Sequence, residues 1–195
     1  MIGELTEKQK KRRDSILNSA TNYFARYGYC AADMEKIARA AGVGKGTLYN
    51  YFGNKDSLYL KCVEHHFESA LSYIDSRTSG SKTVEDFVTD YLDASIEYFS
   101  DNLDSFDLII RSNSDLFEEV AHKMEEVKEK YHERFQRMIG PAAKAKNLNP
   151  QIVVLALDAS TTFIMSKQFK KNQFEVKEVE ETLHRLFLSG LLKKE

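Results

Sequence analysis

The chain has 195 residues, 42% of them apolar and 30% charged, with only 2 Pro and 9 Gly. That content allows a packed core and long helices. It offers no window near the roughly 18 consecutive apolar residues a membrane span needs, and Met1 to Arg13 lacks the apolar segment of a secretory signal, so a cytoplasmic protein with no membrane partner is expected. The net charge of −2 conceals an asymmetry, with 11 basic against 6 acidic residues up to Lys61 and 17 against 24 beyond it. A basic head on an acidic body is the distribution expected when one end meets a polyanion.

In chain order, Ile16, Ala20, Phe24 and Tyr27 follow one face of a first helix, which Gly28 should stop. The basic run Lys8, Lys10, Lys11, Arg12, Arg13 precedes that face. Asp33 is a plausible N-cap for a short second helix through Ala41. A third short helix runs from about Lys45 to Phe52. Asn54 caps a fourth, with Tyr59, Val63, Phe67, Ala70 and Ile74 on one side. Thr78 to Lys82 reads as a turn. A fifth helix carries Val84, Phe87, Val88, Tyr91, Leu92 and Phe99, and Leu103 to Arg111 a short sixth. The seventh carries Phe117, Val120, Met124, Val127, Tyr131, Phe135 and Met138, and Gly140-Pro141 should end it. Ile152 to Phe169 is an eighth, strongly apolar helix. Val176, Val179, Leu183 and Leu186 mark a ninth. No strand pattern is evident. The fold class is therefore all-α, with about nine helices.

The stretch from Asp33 to Lys55 carries the function. Two short helices crossing tightly need a small residue where they touch, and Ala38 fits. They need positive φ in the turn, and Gly42 fits. Ile37, Val43 and Leu48 supply apolar plugs. The third helix then crowds Lys45, Thr47, Tyr49, Asn50 and Tyr51 into one segment, where a solvated helix would carry Glu and Lys. A cation, a hydroxyl, an amide and two phenols can meet phosphates and base edges. Gly46 permits close backbone approach, the helix N-terminus offers free N–H groups, and Lys55 adds a cation.

The residues Gly28, Tyr29, Met34, Ile37, Ala38, Ala41, Gly42, Val43, Lys45, Gly46, Thr47, Leu48, Tyr49, Tyr51, Phe52, Asn54, Lys55 and Leu58 together resemble the signature of the TetR family of transcriptional regulators. The resemblance covers the first third of the chain. It implies a three-helix DNA-binding head, assigned here to 1–54, and a larger helical ligand-binding and dimerisation domain over 55–195. It implies that Lys45, Gly46, Thr47, Tyr49, Asn50, Tyr51 and Lys55 face DNA, and Asp33 joins them as a candidate on that surface. Three positions depart from the family pattern. Ala32 stands where a Thr is frequent, Gly44 where a Ser often caps the recognition helix, and Asn50 where His is common.

The family likeness and the apolar character of 150–171 and 176–192 point to a homodimer through these last two helices. Two heads spaced by about one helical turn, roughly 34–36 Å, would read a palindromic operator in double-stranded DNA. The expected function is a ligand-responsive repressor. Tyr91, Phe106, Arg111 and Tyr131 are the candidate lining of a site for a small lipophilic effector, with Arg111 available for an acidic group.

No cofactor is expected. Adjacent His65 and His66 diverge on a helix, and Glu118 with His122 lacks a third ligand, so no metal site is expected either. No nucleophile, phosphate-loop or dinucleotide motif is present, which argues against an enzyme. Cys30 and Cys62 form no CxxC pair and read as ordinary thiols.

Overall fold

In the computed structural model, residues 6–102, 116–171 and 175–192 are described. Among them the chain forms eight helices and no strand. They are α1 (Glu7–Ala31), α2 (Met34–Ala40), α3 (Lys45–Phe52), α4 (Lys55–Thr78), α5 (Val84–Asp101), α6 (Phe117–Ala145), α7 (Pro150–Lys171) and α8 (Val176–Leu192). The expected short helix over Leu103 to Arg111 lies outside the described residues, and with it the candidates Phe106 and Arg111.

The described residues fall into two compact units, one holding residues up to Phe67 together with 116–125, the other holding 68–102 and those from Glu126 onward. In the first unit the apolar stripes of four helices converge. Ile16, Leu17, Ala20 and Phe24 of α1 are buried, as are Ile37 and Ala38 of α2, Leu48 and Phe52 of α3, and Leu58, Tyr59, Cys62 and Val63 of α4. Phe24 and Tyr59 meet edge to face at 5.1 Å. The Cys62 thiol donates to the Leu17 carbonyl at 3.6 Å, and burial pushes its pKa up to about 12. Cys62 is thus an inert packing residue, whereas Cys30 is exposed.

In the second unit, α5 supplies the most continuous buried face, with Phe87, Val88, Tyr91, Leu92 and Phe99 inside. Phe135 of α6 packs edge to face on both Phe87 and Tyr91, at 5.3 Å each. Leu157 of α7 and Val179 and Leu183 of α8 complete the core. Thr83 opens α5 with a reciprocal capping box with Asp86, a start that the 3.6-residue apolar period placed at Val84.

One expectation is corrected. Gly140-Pro141 does not end its helix, because α6 runs through Pro141 to Ala145. Proline removes one backbone donor and crowds the preceding turn. Here Ile139 and Ala143, on either side, are both fully buried, and that packing offsets the defect. The helix ends instead at Asn147, whose φ is +55°. The Leu148 N–H donates to the Ala143 carbonyl at 2.9 Å and the Asn147 N–H to the Lys144 carbonyl at 3.0 Å, the paired bonds of a left-handed helix cap.

Candidate nucleic-acid interface

The two-helix elbow is built from local chemistry. Asp33 caps α2, its carboxylate accepting from the Glu35 N–H at 2.7 Å and the Lys36 N–H at 3.3 Å. Those donors, with Lys36 and Lys45 nearby, hold the Asp33 carboxyl below its usual range. Gly42 takes φ +66°, and the Val43 N–H returns to the Ala38 carbonyl at 2.9 Å. The chain therefore reverses within a few residues, and Ala38 is buried at the crossing. Gly44 opens α3 without a side-chain cap, so the first N–H groups of α3 are not taken up by a capping side chain. Gly53, at φ +75°, ends it.

On α3 the division of faces is sharp. Leu48 and Phe52 are buried, four residues apart on the inner side. Lys45, Gly46, Tyr49 and Asn50 are exposed, and Thr47 and Tyr51 are half-buried. Tyr49 is 40% exposed although it is a large aromatic. The candidates Lys45, Gly46, Tyr49 and Asn50 therefore share an accessible surface, with Thr47 and Tyr51 at its edges. Lys45 lies 3.9 Å from Glu35 of α2. Both side chains are largely solvated, so the pair is weak and easily exchanged for another anion.

Lys55 sits differently. Its Nζ donates to the carbonyls of Tyr29 at 3.1 Å and Ala32 at 3.4 Å and stands 4.5 Å from the Tyr29 ring centroid. The Tyr29 hydroxyl donates in turn to the Asp56 carboxylate. This cluster braces the turn that follows Gly28, whose φ of +77° interrupts α1 as its position suggested. Nothing in the residue spacing alone announced that internal role. It follows from a chain reversal that brings positions 26 apart into contact.

The N-terminal basic run is helical. α1 begins at Glu7 behind a capping box of Thr6 and Gln9, and Lys8, Lys10, Lys11 and Arg12 are exposed along it.

Residues 16–62 match the family described as bacterial regulatory proteins, tetR family. Over 48 residues the chain is 46% identical to an uncharacterised HTH-type transcriptional regulator of Bacillus subtilis, covering 25% of each chain. Over 62 residues it is 40% identical to the HTH-type transcriptional activator FasR of Mycolicibacterium smegmatis, covering 32% of this chain and 28% of that one. The head of the chain is therefore similar to the DNA-binding segment of TetR-family regulators. These alignments span about a quarter of the length of the curated relatives. The TetR fold extends further. The fatty acid degradation regulator FadR of Bacillus halodurans superposes with a TM-score of 0.77 at 21% identity, over 98% of this chain and 100% of that one. AibR, solved in complex with isovaleryl coenzyme A and operator DNA, superposes with a TM-score of 0.73 at 16% identity, over 90% of this chain and 97% of that one.

Of the effector candidates within the described residues, Tyr91 is deep in the second core. Its hydroxyl faces Asp158 at 3.4 Å, and burial raises its pKa well above the usual phenol range. Lys128 closes on the other Asp158 oxygen at 2.6 Å. Tyr131 is half-buried on α6. Lys128 and Asp158 give this region a polar centre that apolar periodicity did not reveal.

Proposed function

We propose that the chain is a dimeric, ligand-responsive repressor that inserts α3 into the major groove of a palindromic operator. The observation that carries this reading is the two-faced α3, with Leu48 and Phe52 inward and Lys45, Tyr49 and Asn50 outward. Lys45 and Tyr49 suit phosphate contacts, and Asn50 and Thr47 suit base edges. Gly46, Tyr51 and Lys55 border the same surface, Lys55 acting chiefly through the brace at Tyr29. Asp33 supports it from behind as the cap of α2.

Dimerisation is supported by apolar side chains left in solvent on the last two helices. On α7, Ile152 is 63% and Leu155 59% exposed, and on α8 Leu186 is 64% exposed. Ala156 and Ala159 are exposed beside them. Positions 152, 155, 156 and 159 make one helical stripe, and small residues within it allow close helix approach. A lone chain would hold this surface against water at a cost that a two-fold partner removes.

A small lipophilic effector is supported by the aromatic second core, with Tyr91 and Tyr131 as lining candidates. The acyl coenzyme A complexes among the structural neighbours, stearoyl-CoA in FadR of Bacillus subtilis and isovaleryl-CoA in AibR, suggest an acyl-type ligand as the first to try. Such a ligand acts only through unequal affinity for the two states of the dimer.

The test is an electrophoretic mobility shift with duplex DNA from upstream of the chain's own gene. A retarded band at nanomolar protein that acyl coenzyme A releases is expected. Equal retardation of scrambled duplex would remove the operator reading, and indifference to acyl coenzyme A would remove the proposed ligand class.

A further inference from the structure

We propose that Asp93 of α5 and Glu180 and His184 of α8 form a binding site for a divalent first-row transition-metal ion of the zinc class. The three side chains are half-buried, and one donor atom from each lies within 4.8 Å of the others. His184 Nε2 stands 2.9 Å from an Asp93 carboxylate oxygen, with side-chain exposures of 21% and 38%. Glu180 and His184 are four residues apart, so one helix face projects both toward Asp93 on the neighbouring helix.

The cluster suits a cation better than a plain His–Asp ion pair. First, the pair accounts for only two of the groups. Among the described residues Glu180 has no ion pair of its own, and its carboxylate is held beside a second one. Two carboxylates so placed repel unless a positive charge lies between them, and one imidazolium neutralises only one. Second, the donor atoms are close to coordinating distances. A tetrahedral ion with bonds of about 2.0–2.2 Å needs its ligands roughly 3.3–3.6 Å apart. The Asp93–His184 contact has to open slightly, which side-chain rotation supplies, and the Glu180 donor lies within 4.8 Å of both. Third, one imidazole nitrogen with two carboxylate oxygens suits zinc, cobalt, nickel or manganese. The nitrogen disfavours calcium and magnesium, and the lack of thiolate disfavours copper(I). Three protein ligands leave a coordination position for water.

The consequence is mechanical. The ion would tether α8 to α5, and α8 carries the exposed Leu186. The proposal stands on the cluster alone and does not depend on DNA binding.

The test is calorimetric titration of metal-free full-length chain with Zn2+, repeated with Co2+ while following the visible absorption of the bound ion. The parent should bind one ion per chain at micromolar concentration or below. Glu180→Gln, which keeps the His184–Asp93 contact and removes one charge, should weaken binding at least tenfold. His184→Ala should abolish it and remove the shift that an imidazole ligand imposes on the cobalt spectrum. Melting curves should rise with Zn2+ in the parent, rise less in Glu180→Gln and stay flat in His184→Ala; the metal-free curves check that each variant is folded. Absence of binding below millimolar metal, or binding undiminished in Glu180→Gln, overturns the assignment.

Discussion

Lys55 Nζ donates to the Tyr29 carbonyl at 3.1 Å while lying 4.5 Å from the centroid of the same residue's ring. One ammonium thus closes the end of α1 and stacks on its last aromatic, at the first residue of the helix that leads out of the head. A charge-assisted hydrogen bond contributes about 1.5–3 kcal/mol and a partly desolvated cation–π contact about 1 kcal/mol. Lys55→Met should therefore destabilise the chain by about 2 kcal/mol in urea unfolding without DNA present. A DNA-binding defect with unchanged unfolding would instead make Lys55 a simple phosphate ligand.

Gly42 offers a cleaner test of the elbow. A Cβ built there meets nothing within 4 Å, yet φ is +66°. The cost of Gly42→Ala is therefore conformational, on the order of 1–2 kcal/mol. Denaturant titration should show that loss, and Gly42→Asn should recover part of it, because Asn tolerates the left-handed region.

The elbow was legible because its signals are local. Asp33 caps within three residues, Gly42 needs its φ whatever surrounds it, and the spacing from Lys45 to Phe52 separates α3's two faces unaided. What escaped the sequence depends on distant partners. Pro141 reads as a stop until Ile139 and Ala143 are seen buried around it. Lys55 reads as a free cation until α1 returns to meet it. His184 carries no signal in the sequence, because its partner Asp93 lies 91 residues away and no helical period connects them.

His66 predicts the pH response. Burial, aided by neighbouring His65, pushes its pKa from 6.5 down to about 4. The folded-state value is depressed, so the unfolded chain takes up a proton first as pH falls. The full contribution of neutral His66 is present above pH 6.5 and drains away between 6.5 and about 4. A gap of that size corresponds to about 3 kcal/mol. Unfolding free energy should fall across that window, and His66→Leu should flatten the fall. An unchanged slope in the variant would show that other groups carry it.

The solvent-exposed stripe on α7 and α8 predicts the assembly state. Leu155→Glu with Leu186→Glu should convert a dimer into a monomer in sedimentation experiments. Helical circular dichroism should stay the same, because neither side chain is in the core of its own chain. A dimer that persists in the double variant would place the two-fold contact elsewhere.

The most direct measurement of the central claim is operator affinity by fluorescence anisotropy over a range of salt, for the parent and for Lys45→Ala, Thr47→Ala, Tyr49→Ala and Asn50→Ala. Parent affinity should fall steeply and linearly in logarithmic salt as phosphate contacts release counterions. Lys45→Ala should lower the magnitude of that slope by about one per head and, like Tyr49→Ala, weaken all duplexes alike. Thr47→Ala and Asn50→Ala should instead change the preference among duplexes by about 1–3 kcal/mol. Four variants that bind the operator as the parent does, at every salt concentration, would contradict the assignment of α3 as the reading helix.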